Sequence, residues 1–162
     1  MEKEVLLLRP DDIPRYTNIS GNLDLNRITP HIRNSQRTYI KRVLGKSLYE
    51  KILNDFENDT LEGDYENIYE DFVLDMLVNY SAYLVVLFNG LRVENAGNVY
   101  NDPDNSTSAD MEDVEKIANR YLSLASAVEL EFNNWIKNNK ITEYPNSGSC
   151  KTVTTYSLPW VL

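Results

Sequence analysis

The sequence contains very little of the chemistry on which most enzymes and metal proteins depend. Its 162 residues include one cysteine, Cys150, and one histidine, His31. One cysteine excludes a disulfide framework within the chain, and the two residues together are too few for a His/Cys metal cluster. The apolar run at residues 5–8 is too short for the core of a signal peptide. We therefore predict a protein without cofactor or metal that is not an enzyme and is made in a reducing, cytoplasm-like compartment.

Basic residues are almost absent from the middle of the chain. Residues 54–115 contain sixteen acidic residues and one basic residue, whereas residues 1–53 carry a net charge of +4. With a pI near 4.6, the whole chain does not attract nucleic acid through its overall field. The separation of charge has two interpretations: oppositely charged solvated faces that pair within one molecule, or self-complementary assembly of several copies.

The spacing of apolar residues predicts an all-α fold, a bundle of about four helices of which two are long. The first three helices are predicted at residues 26–44, 47–56 and 66–91, with Gly45 ending the first. The charge-free stretch of the third, residues 76–91, is shorter than the ~20 residues that cross a bilayer, so we predict a buried bundle helix and no membrane partner.

The fourth helix is predicted at residues 110–139 from an uninterrupted apolar seam. Its members alternate at spacings of three and four residues: Met111, Val114, Ala118, Tyr121, Ala125, Val128, Phe132 and Trp135. Ile117 and Leu124 are expected to widen this face, which we expect to pack on the third helix. Before it, residues 92–109 predict a long polar loop that a partner orders.

The end of the sequence predicts an extended C-terminal arm. We place a helical domain at residues 1–140 and the arm at 141–162. The arm carries an apolar, aromatic group of side chains, here called the docking arm: Tyr156, Leu158, Trp160, Val161 and Leu162. Such residues need a surface to cover, which is either the arm's own bundle or a neighbouring molecule.

Two charged surfaces are candidate sites of interaction. The cationic ridge consists of basic residues on the first helix, spaced four residues apart with one neighbour: Arg33, Arg37, Lys41 and Arg42. The acidic surface lies at the end of the second helix and directly after it: Asp55, Glu57, Asp59, Glu62 and Asp64. Like charges at this spacing oppose helix formation by about 0.2–0.5 kcal/mol per pair. Solvent and salt can screen the ridge, or it faces the carboxylates of another copy or the phosphates of DNA.

The order of these features resembles the head–tail connector (adaptor) proteins of tailed bacteriophages, especially those of phages of gut Bacteroidetes, crAss-like phages included. The resemblance runs from about residue 16 to residue 144. Its most specific part is the turn Leu44-Gly45-Lys46-Ser47-Leu48-Tyr49. It continues with a central helix containing Tyr80, Ala82 and Tyr83, a polar loop and a long C-terminal helix.

The resemblance implies a structural virion protein that forms a ring, commonly of twelve copies, between the portal and the tail. The ring would extend the DNA channel and provide a docking platform for tail components. Its implied partners are the portal protein, other tail or ring proteins, and genomic DNA that passes without sequence-specific contacts. The protein would lie at the portal–tail junction of the virion after synthesis in the host cytoplasm.

Two other classes of protein stay open at this point. A small DNA-binding regulatory protein would use the basic helix at residues 26–44 to contact DNA, and its binding would weaken steeply with salt. A small enzyme or metal protein is the third class, for which the sequence offers no catalytic or ligand motif.

Overall fold

The computed structural model describes residues 5–19, 24–89, 91–94, 97–100 and 111–144. A short 3₁₀ turn at Pro10–Asp12 leads into the single turn α1 (Ile13–Tyr16). The helices that follow are α2 (Leu25–Ser35), α3 (Lys41–Glu57), α4 (Asp64–Ile68), α5 (Leu74–Asn89) and α6 (Met111–Asn138). A π turn at Gln36–Ile40 joins α2 to α3, and a second at Tyr69–Val73 joins α4 to α5.

The predicted all-α bundle is confirmed, and its centre is α5. Phe72 of the preceding π turn contacts the ring of Phe132, and Tyr80 bonds to Glu129, so α5 and α6 run antiparallel. Ring contacts from His31 to Phe88 and from Tyr39 to Tyr80 show that the α2 segment lies antiparallel to α5 on another side. The core therefore forms around α5, whose buried residues include Met76, Leu77, Val78, Tyr80, Ala82 and Val85.

This burial explains the apolar character of the central helix. The stretch Asp64–Phe88 is long and apolar enough to cross a membrane by length and composition, and half of its most apolar window is buried inside the protein. Its acidic residues lie near the N-terminal end, where their negative charges interact favourably with the positive end of the helix dipole.

The predicted break between the first two helices lies at Gly45. This glycine has φ 72° and ψ 165°, which residues with a side chain rarely adopt, and it bends the element that runs from Lys41 to Glu57. α2 begins at Leu25, so Pro30 lies inside the helix and not in its first turn. Proline has no backbone N–H, so the helical hydrogen bond from residue 30 to the carbonyl of Asn26 is missing.

The N-terminal segment is bound into the bundle by one buried amide. Gln36 Oε1 accepts a hydrogen bond from Leu7 N at 2.9 Å. Gln36 Nε2 donates to Val5 O at 2.9 Å and to Tyr49 Oη at 3.0 Å. Tyr69 Oη donates to Leu7 O at 2.8 Å. Residues 5–8 are thus held both by main-chain hydrogen bonds and by the burial of Leu7 and Leu8.

Three expectations from the sequence need correction. Part of the predicted polar loop forms an antiparallel hairpin of β1 (Leu91–Glu94) and β2 (Gly97–Tyr100). Ile117 and Leu124 do not widen the buried face of α6, because both are exposed. The domain boundary at 140 is too early, since Ile141 is buried and Tyr144 contacts the Phe132 ring edge-on.

Candidate interaction surfaces

Three residues of the cationic ridge lie at exposed positions along one continuous helical path. Arg33 is in the last turn of α2, Arg37 is in the π turn, and Lys41 begins α3. The ammonium group of Lys41 lies 5.8 Å from the centroid of the Tyr49 ring. The ridge therefore ends directly before the bend at Gly45.

Arg42 belongs to a different environment from the rest of the ridge. Its Nη2 lies 2.8 Å from Glu129 Oε2 of α6, and Tyr80 Oη donates to the same oxygen at 2.7 Å. The Tyr80 ring stacks on Tyr39 with 4.1 Å between centroids and an angle of 4°. Burial raises the pKa of Tyr80, and the hydrogen bond to Glu129 raises it further. The charge of Arg42 is thus compensated within the chain, where it joins α3 to α6.

The acidic surface occupies the connection between α3 and α4. Glu57, Asp59, Glu62 and Asp64 are exposed. Asp55 was predicted to belong to this surface, and that prediction was wrong, because its residue exposure is 5%. Its carboxylate pairs with Lys51, four residues earlier on the same helix, at 2.5 Å. Burying a carboxylate without such a partner would cost free energy.

A surface cavity of about 430 Å³ opens beside these carboxylates. Its lining residues come from the end of α3 and the turn into α4: Lys51, Asp55, Thr60, Glu62, Gly63, Asp64 and Tyr65. The Lys51 ammonium lies 5.0 Å from the centroid of the Tyr65 ring. The Lys51 side chain in the cavity wall thus lies between the Asp55 carboxylate and the Tyr65 ring, two groups that favour cationic side chains.

Tyr65 connects this cavity to the end of the long helix. Its hydroxyl donates to Glu143 Oε2 at 2.5 Å. The hydrogen bond to Glu143 is the main cause that raises the pKa of Tyr65 to about 12. Among the described residues, no group of three or more His, Cys, Asp or Glu side chains could hold a metal ion.

The structure separates the two charged surfaces and leaves the docking arm undescribed. The ridge ends before Gly45, and the acidic surface begins at Glu57, after about 18 Å of intervening helix. Tyr156, Leu158, Trp160, Val161 and Leu162 lie outside the described residues. Sequence reasoning missed the Gln36 site, although a glutamine within the inward stripe of a helix was a signal that a buried polar partner exists.

His31 lies in α2, two residues before Arg33. Its ring stacks on Phe88 with 5.7 Å between centroids. Burial, and not a neighbouring cation, is what lowers the pKa of His31.

Fold and surfaces together define a class: a small all-α bundle with two distinct exposed surfaces of opposite charge. Residues 40–154 match the model of DUF6712, described as a family of unknown function. The chain belongs to this family. No curated protein and no solved structure matches it.

Proposed function

We propose that this protein is a structural component of a tailed-phage virion that forms a ring between the portal and the tail. The ring extends the DNA channel and offers a docking platform for tail components. The proposal rests on the resemblance to head–tail connectors, which also implies twelve copies, contact with the portal protein, and passage of genomic DNA without specific contacts.

The observation that carries the proposal is the separation of the cationic ridge from the acidic surface. A ring is built from head-to-tail contacts that join two different patches of the same chain. Patches of opposite sign separated by about 18 Å of helix and a bend at Gly45 meet this requirement. We propose that the ridge of one copy faces the acidic surface of the next.

The site on the acidic side also has suitable chemistry. Glu62 and Asp64 flank the cavity in which Lys51 already lies against Tyr65. A lysine or arginine from a neighbouring copy would meet exposed carboxylates there, and its contribution would be screened by salt.

Charge reversal tests this pairing. One variant reverses the ridge (Arg33→Glu, Arg37→Glu, Lys41→Glu), and a second reverses the cavity rim (Glu62→Lys, Asp64→Lys). Each variant is mixed with portal protein from the same phage and imaged by electron microscopy. We expect neither variant to form rings, and we expect a chain that carries both sets to form them again. Lys137→Glu, an exposed charge on α6, is the matched control and should assemble normally.

Two results would overturn the proposal at different levels. Rings of unchanged copy number from both reversed variants would refute the pairing while leaving the ring intact. Absence of the protein from purified virions, measured by mass spectrometry, would refute the virion function itself.

The exposed positions of Arg33, Arg37 and Lys41 also favour one alternative, a DNA-binding regulatory protein that uses residues 26–44. That function requires binding to short duplex DNA with a steep dependence on salt. Titration of labelled duplex at low salt separates the two functions, since the ring proposal requires no binding to isolated duplex.

A further inference from the structure

The outer side of α6 has an apolar face that the described bundle leaves uncovered. Ile117 is 46% exposed and Leu124 is 55% exposed, one heptad apart on the same side of the helix. Beside Leu124 lies a shallow groove of about 710 Å³ whose lining also includes Lys116, Asn119, Arg120 and Ser123. The groove therefore combines an apolar floor with two cationic side chains.

The composition of the C-terminal residues matches this groove. Residues 145–162 include one charged side chain, that of Lys151, and no acidic one. The docking arm supplies three aliphatic side chains and the aromatic rings of Tyr156 and Trp160. Aliphatic groups can cover the apolar floor, and an aromatic face is a favourable neighbour for the guanidinium of Arg120.

The length of the chain allows this contact within one molecule. The described chain ends at Tyr144, whose ring lies 5.9 Å from that of Phe132. Leu124 lies eight residues before Phe132, which is ~12 Å along the helix, and Ile117 lies ~22 Å before it. Residues 145–155 span up to ~36 Å when extended. A segment tethered at this distance has an effective concentration in the mM range, far above that of a second copy in dilute solution.

We propose that residues 156–162 bind to the outer face of α6 in the same chain, with Leu124 at the centre of the contact. The contact covers the docking arm on a copy that has not yet met a partner. This inference does not depend on the ring, because it concerns a single molecule.

A single-tryptophan variant provides the test. Trp135→Phe leaves Trp160 as the only tryptophan, and acrylamide quenching then measures how accessible its indole is. Leu124→Asp in this background is expected to raise the quenching constant several-fold. Leu130→Asp is the matched control, because Leu130 is 62% exposed on a different side of the same helix and should leave quenching unchanged.

The remaining outcomes overturn the proposal. Equal quenching in the parent, Leu124→Asp and Leu130→Asp proteins would show that the segment does not use this face. If Trp160 is protected from quenching, and this protection is lost both in Leu124→Asp and on dilution, the groove binds the arm of a second copy. Unchanged circular dichroism in both aspartate variants ensures that the comparison reports on binding rather than folding.

Discussion

Replacing Gln36 with methionine should destabilise the bundle far more than an exposed substitution a few ångströms away. The amide of Gln36 bonds to Leu7 N, Val5 O and Tyr49 Oη, and its side chain is 1% exposed. Methionine has a similar volume, so the change removes the hydrogen bonds without leaving a large cavity.

The expected loss follows from the groups left without partners. The buried N–H of Leu7 loses its acceptor, which costs about 1–3 kcal/mol, and the loss of the other two bonds adds to it. The chain could avoid this cost by releasing residues 5–8, but that exposes Leu7 and Leu8 at about 3–6 kcal/mol in all. We therefore expect the segment to stay bound and the free energy of unfolding to fall by about 2–4 kcal/mol.

Urea denaturation followed by circular dichroism measures this change. The matched control is Thr38→Ala in the same π turn, where the side chain is exposed and the expected change is within about 0.5 kcal/mol. Hydrogen exchange at the amide of Leu7 should also accelerate in the methionine variant. A loss no larger than that of Thr38→Ala, with unchanged exchange at Leu7, would refute the stabilising role of the Gln36 hydrogen bonds to the N-terminal segment.

Three further predictions concern the bend, the inter-helix ion pair and alkaline pH. Gly45→Ala should lower stability by about 1–3 kcal/mol through backbone strain, because no other part of the described chain, beyond the neighbouring residues and the local helix backbone, comes within 4 Å of the added methyl group. Urea denaturation beside Lys46→Ala measures this loss. Glu129→Ala should lower the free energy of unfolding by about 1–3 kcal/mol, because Tyr80 loses its acceptor. Arg42→Ala should lower it by no more than about 1 kcal/mol, because Arg42 is 54% exposed. Equal losses for the two variants in the same assay would contradict this order. Burial raises the pKa of Tyr69 to about 12, so the folded protein keeps a proton that the unfolded chain loses near pH 10. The melting temperature should therefore fall from pH 10 towards pH 12. The Tyr69→Phe variant should show a less steep fall, because it lacks this group.

The helices could be predicted because their evidence is local. The apolar spacing predicts the seam of α6, of which Ala118, Ala125 and Phe132 are buried and Val128 and Trp135 pack against the core. The break at Gly45 could also be predicted, since a glycine between two apolar periods indicates a helix end. The two π turns could not be predicted, because one extra residue in a helical turn produces no reliable sequence pattern.

Contacts between distant residues were the part that the sequence did not reveal. Leu7 and Gln36 are 29 residues apart, and Arg42 and Glu129 are 87 residues apart. Neither pairing follows from periodicity, so the apolar run at residues 5–8 had no predicted place and Arg42 was assigned to the exposed ridge. The burial of Asp55 was a different failure, since its pairing with Lys51 at a spacing of four residues was visible in the sequence.

These corrections sharpen the electrostatic argument for assembly. A charge that is already paired inside its own chain gains little from a neighbour, because binding would have to replace a contact that exists. Arg42 and Asp55 are such charges, so neither is expected to add to a contact between copies. The other basic residues of the ridge and the carboxylates from Glu57 to Asp64 lie at exposed positions, so any attraction between them decays within a Debye length of about 8 Å at physiological salt. A contact made only of these charges would be weak for one pair of copies, and its strength in a closed ring would come from repetition around the ring.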